Sequence, residues 1–300
     1  MNKLFVLSLL FITAAAQRVS AYADPAGKNL AIFIFGSAHT PEFNICFNDA
    51  RTDLQRVLDA NGFLPGQQRV FREMPKKAAN GSPEFHSDRQ TLLKKIPGIV
   101  QAGPYNDVFF FLAGHAEGED EQALLSLPDK EGVRYAELLT QIEKIKAKRL
   151  VFVIAAPQGH VWIRHFSGPG RIVIAGSSKR GFHTLPLQFL KNFPRMFEKT
   201  ARWHNAHPAA GKDQSVSLAE VLFLTGSRVR QWYQTNHLSA DEEPVLEADG
   251  DGNAVAVGTA AWLQESVSAD QVRFTIPWIR KPSPISRHRR SGGGEDFSRV

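Results

Sequence analysis

One thiol, a few hydroxyls and ten histidines are the groups here that could serve nucleophilic chemistry. Cys46 is the single cysteine, so no intramolecular disulfide forms, and neither does a zinc site built on two or more thiolates. A thiol becomes a nucleophile where an imidazole or a helix N-terminus favours the thiolate. Cys46 lies shortly before a helical pattern that begins at Asn48, which would set it near a helix N-terminus; the plainer reading is a small buried apolar residue. Ser177 and Ser178 precede Lys179, but they lack the G-x-S-x-G elbow of serine hydrolases, and serines are common in turns. His115 follows Gly114 at the end of a strongly apolar run. It reads either as a general base or as a polar residue that ends a buried strand and bonds a loop carbonyl. The histidines show no H-E-x-x-H or other metal-ligand spacing, so no metal site is expected from them.

Two acidic stretches could attract cations. Glu247-Ala-Asp249-Gly-Asp251-Gly-Asn253 invites a calcium reading, yet an EF-hand loop starting at Glu247 would need a bidentate acid at its twelfth position, where Gly258 stands. An Asp/Gly turn is the default, with non-EF-hand calcium binding at Asp249 left open. The run from Glu117 to Glu121 reads as a solvated loop that adds negative potential beside His115. Gly168-Pro-Gly170 is too short for a phosphate loop and contains proline, and no cofactor is expected.

Four apolar runs have the length and flanks of buried parallel strands: Leu30 to Phe35, Asp107 to Leu112, Arg149 to Ile154 and Arg171 to Ala175. Gln68 to Phe71 is a further candidate, and Ala123 to Leu127 reads as a hairpin arm. Helical spacing predicts helices over Asn48 to Asn61, Ser87 to Ile96 with Ser87 as N-cap, Tyr135 to Ile145, Leu187 to Trp203 and Ser217 to Thr235. Strands alternating with helices give an α/β domain with a mostly parallel sheet and right-handed crossovers. Ligands gather beyond the carboxyl ends of such strands. Those ends are Gly36 to His39, Gly114-His115, Ala155 to His160 and Gly176 to Lys179.

Two of these ends, Val108-Phe-Phe-Phe-Leu-Ala-Gly-His115 and Lys148-Arg-Leu-Val-Phe-Val-Ile-Ala-Ala-Pro-Gln-Gly159, resemble the strands that deliver histidine and cysteine in the caspase-like clan of cysteine peptidases. The likeness is greatest to its legumain-type members and runs in element order over roughly residues 28–255. Ser167 to Ile174, Ser217 to Glu220 and Glu243 to Gly252 share it. The resemblance implies a three-layer α/β sandwich and a dyad of His115 and residue 157. Residue 157 is Pro157, which has neither a nucleophile nor a backbone N–H. In the clan that N–H helps form the oxyanion hole, and losing one such donor costs about 10²–10³ in rate. Ala155 replaces an acidic or polar residue, Ala116 replaces the glycine after the histidine, and His160 replaces a small residue. Legumain-like chains also place an arginine after the first strand to grip substrate. Alignment through Asp49-Ala50 sets that position near Ile45, and no arginine lies between Gly36 and Ala50.

At 43% hydrophobic and 22% charged residues, the 300-residue chain is an ordinary globular one rather than a disordered or coiled-coil sequence. The net charge of +6 sits at the ends. Residues 1–21 read as a signal peptide: Lys3, an apolar run to Ala16 too short to span a bilayer, then Val19-Ser20-Ala21. Residues 280–300 read as a basic flexible tail. The intervening domain, 22–279, carries 28 basic and 28 acidic residues, which removes the case for nucleic acid. The expected protein is an exported, periplasmic or extracellular, catalytically inactive caspase/legumain-like homologue. Its partner would be a protein or peptide held in a cleft near Gly114, His115, Ala155, Gln158, Ser177 and Ser178. An active hydrolase using Cys46 or a serine is the competing reading, and a surface binder acting through its basic tail is a third.

Overall fold

The computed structural model describes residues 28–75, 81–118, 122–177, 185–206, 215–239, 242–257, 259, 269 and 272–275. The expected signal peptide, the tail, Ser178 and Glu119 to Glu121 lie outside them. In chain order the elements are β1 (Leu30–Phe35), α1 (Pro41–Asp59), β2 (Gln68–Arg72), β3 (Glu84–His86), α2 (Arg89–Gln101), β4 (Tyr105–Ala113), β5 (Ala116–Glu117), β6 (Leu124–Leu125), β7 (Val133–Arg134), α3 (Tyr135–Ile142), β8 (Ala147–Ala155), α4 (Gly159–Phe166), β9 (Arg171–Ala175), α5 (Leu187–Ala206), β10 (Ser215–Ser217), α6 (Leu218–Thr235), β11 (Val245–Glu247), β12 (Val255–Ala256) and β13 (Arg273–Thr275).

Eight strands make the central sheet, in the order β12-β11-β9-β8-β4-β1-β2-β3. From β9 to β3 neighbours run parallel, while β11 is antiparallel to both β9 and β12. The pleat sends alternate residues to opposite faces. Phe33, Phe109, Phe111, Val151 and Val153 enter one core, with buried residues of α1, α5 and α6. Ile32, Phe110, Leu112, Phe152 and Ile154 enter the other, with those of α2, α3 and α4. The result is a three-layer α/β sandwich with a mostly parallel sheet flanked by helices, as the sequence pattern leads one to expect. β5, β6 and β7 form a small antiparallel sheet, and β10 pairs with β13.

Two helix starts differ from the sequence-based expectation. α1 begins at Pro41, not Asn48, because Thr40 caps it by accepting from the Phe43 N–H (3.4 Å) and Pro41 supplies a preset first turn. The cap of α2 is Asp88, not Ser87: its carboxylate accepts from the Thr91 N–H at 2.7 Å, whereas the Ser87 N–H donates to the Arg72 carbonyl (3.0 Å).

Candidate functional site at two central strand ends

β4 and β8 lie side by side in register from Tyr105↔Ala147 to Ala113↔Ala155. The ladder continues one step further, with the Gly114 N–H donating to the Ala155 carbonyl (3.3 Å). His115 and Pro157 each stand two residues beyond the last registered pair. Both therefore follow the carboxyl ends of adjacent strands, where parallel α/β sheets collect ligands. Gly114 permits this convergence, since an added Cβ would lie 2.8 Å from Leu125 Cδ1 and 3.2 Å from Gly36 Cα.

The His115 ring packs edge-on against His39 (centroids 4.9 Å apart) and Phe43 (5.0 Å). Its Nε2 is buried without a hydrogen-bond partner. Burial, and then the neighbouring His39, lower the His115 pKa and favour the neutral imidazole, the form a general base requires. Neither neighbour was legible as such in the sequence. His39 sits just after β1 with φ 54, and Phe43 faces inward only because α1 starts early. The sole hint was that Gly36 to His39 is a strand end.

Pro157 is buried, and its carbonyl accepts from the Tyr135 hydroxyl at 3.3 Å. Burial raises the pKa of that phenol, which keeps it a donor. Gln158 adopts the left-handed region (φ 58) and turns the chain from β8 into α4. Its Nε2 donates to the Gly118 carbonyl (2.5 Å), while its Oε1 is buried without a partner. Gly159 follows because a Cβ there would lie 2.3 Å from the Ser177 carbonyl, which accepts the Gly159 N–H at 3.1 Å. The structure thus gathers Gly114, His115, Ala155, Pro157, Gln158 and Ser177 at one end of the sheet. Ser178 falls outside the described residues.

Cys46 is not at a helix N-terminus, which corrects the expectation. With α1 capped at Thr40, it lies past the first turn, whose N–H groups are the ones left unpaired. It is partly buried and packs against the core under α1. Ile45, where the alignment sets the substrate-gripping arginine, is 60% exposed and apolar. Arg51, one residue after Ala50, lines a cleft with Phe35, Gly36, Asn44, Asn48 and Arg72. Arg51 and Arg72 both approach Glu84, at 3.5 and 3.9 Å.

The geometry supplies an imidazole whose burial favours its neutral form, and a closed backbone turn. At Pro157, two residues past the end of the neighbouring strand, it supplies neither a nucleophile nor an N–H donor. No helix among the described residues is long and apolar enough to cross a membrane. No family model and no curated protein matches the chain. Among solved structures, the initiator caspase Dronc of Drosophila is similar over 66% of this chain and 71% of that one, at 9% identity and a TM-score of 0.41.

Proposed function

We propose that this chain is an exported homologue of the caspase/legumain type that has lost proteolytic chemistry and acts by binding a protein or peptide. The observation that carries the reading is the pairing of two adjacent strand ends, one closing on His115 and the other on Pro157. A thiol activated by imidazole is the chemistry such a pair performs, and proline can supply neither the thiol nor the oxyanion N–H. Ala155, fully buried, stands where the family places an acidic or polar residue, and Ala116, also buried, stands where it places a glycine. A small cleft beside β1 is walled by Gly36, Arg51 and Arg72, and it adjoins the first of these strand ends.

The test is to incubate purified protein with a diverse peptide library and to map binding by NMR. No cleavage is expected, and bound peptides should perturb the amides of Gly36, Arg51 and His115. Turnover that disappears in His115→Ala would overturn the reading. So would the absence of any peptide-dependent change around those three residues.

A further inference from the structure

A second site lies on the opposite edge of the sheet. β11 runs antiparallel to β9, with Val245 level with Ala175 and Glu247 level with Val173. The chain after Glu247 therefore heads toward the amino end of β9, away from His115 and Pro157. There Gly250 (φ 90) packs so closely on the loop before β9 that an added Cβ would lie 3.1 Å from the carbonyl carbon of Gly168. Gly252 (φ 84) makes a second left-handed turn. Between them the turns bring one carboxylate oxygen each from Glu247, Asp249 and Asp251 within 4.8 Å of one another.

Three carboxylates drawn together repel one another unless a cation joins them. A separate observation points the same way. Glu247 is fully buried (0% exposed), and only half of its carboxylate is satisfied. Its Oε1 accepts from the Ser167 hydroxyl (2.9 Å) and the Gly250 N–H (2.7 Å), while Oε2 is buried with no partner. Leaving a charged oxygen dehydrated and unpaired is costly, and a metal ion removes that cost. Asn253, two residues beyond Asp251, holds the Asp251 carboxylate in place by donating its backbone N–H (2.6 Å) and its side-chain amide N–H (2.9 Å) to it. Asp249 and Asp251 alternate with Gly250 and Gly252, whose left-handed turns let both carboxylates approach Glu247.

We propose that Glu247, Asp249 and Asp251 bind a calcium ion that pins the β11–β12 turn to the loop before β9. The donors are all oxygens, with no imidazole or thiolate among them, which suits a hard cation over zinc or copper. Calcium fits better than magnesium because a glycine-rich loop with clustered carboxylates tolerates irregular, many-oxygen coordination. The ion's role here is structural, since this edge of the sheet is remote from the strand ends at His115. The inference stands apart from the peptide-binding reading, and either can fail without the other.

The experiment follows thermal unfolding and calorimetric titration of full-length protein after chelation. Calcium should raise the unfolding midpoint saturably by a few degrees, about 3 °C or more. Asp251 is exposed, so Asp251→Asn should fold; it should weaken calcium affinity roughly tenfold or more. Glu247→Gln should abolish the response. No calcium-dependent change in the wild type, an equal response to magnesium, or an unaltered response in Asp251→Asn would each overturn the proposal.

Discussion

At the scale of single residues, His115 is the most exacting position. Burial and His39 hold its pKa below the usual histidine value, about 6.5 in an unfolded chain. Between those two values the folded protein binds fewer protons than the unfolded one. Stability therefore rises with pH through that window and is lost as pH falls from about 6.5 toward the folded pKa. In urea titrations, the loss on going from neutral to mildly acidic pH should be smaller in His115→Gln than in the wild type. An unchanged pH slope would show that His115 titrates as it does in water. In NMR titrations His39→Gln should raise the His115 midpoint, since a like charge is removed. Much of this end of the sheet was legible in the sequence: an apolar run closing on Gly114-His115 and another closing on Pro157 are local signals. The contact of His115 with His39 and Phe43 was not. It depends on a left-handed His39 and on a helix that begins seven residues earlier than apolar spacing alone indicates. The Tyr135–Pro157 bond joins residues far apart in the chain, which no window of sequence displays.

At the scale of elements, hydrophobic runs located the long strands well because burial on both faces leaves a nearly continuous apolar string. β9 spans the same residues in sequence and structure, Arg171–Ala175. Helix α4 leaves little local signal, being only eight residues long and opening on glycine at a close backbone approach. β10 and β13 pair through contacts distant in sequence, which periodicity cannot reveal. Helix α6 shows the reverse, a local signal fully realised. The Ser217 hydroxyl accepts from the Glu220 N–H (3.1 Å), and the Glu220 carboxylate accepts from the Ser217 N–H (2.8 Å). The other oxygen of Glu220 meets His204 Nε2 at 3.0 Å, so the cap also ties α6 to α5. Ser217 is fully buried, which leaves no water to replace its hydroxyl. Ser217→Ala should cost about 1–2 kcal/mol in denaturant unfolding. A change within a few tenths of a kcal/mol would show that the cap carries no weight.

At the scale of the molecule, every long central strand faces two cores, and neither core has its own sheet. Phe111 and Phe110 are neighbours in β4, yet the first enters the core with α1, α5 and α6 and the second the core with α2, α3 and α4. Strain or a cavity on one face must act on the same backbone that holds the other. Trp162, fully buried in the second core and stacked on Phe166 (centroids 5.5 Å), is placed to report whether it does. Phe111→Ala removes a fully buried ring, and such truncations cost about 3–5 kcal/mol. If the layers unfold as one unit, secondary structure measured by circular dichroism should be lost at a lower denaturant concentration in this variant. A single-tryptophan version retaining only Trp162 should show the fluorescence transition moving by the same amount, although the ring deleted lies across the sheet. A Trp162 transition left at the wild-type midpoint would mean that the two faces unfold independently. The shared strands argue against that outcome, because unfolding either helical layer exposes one face of Phe-rich strands whose hydrogen-bond ladders are common to both. The same coupling bears on the site, since His115 and Pro157 are carried by β4 and β8, the two strands at the centre of that sheet.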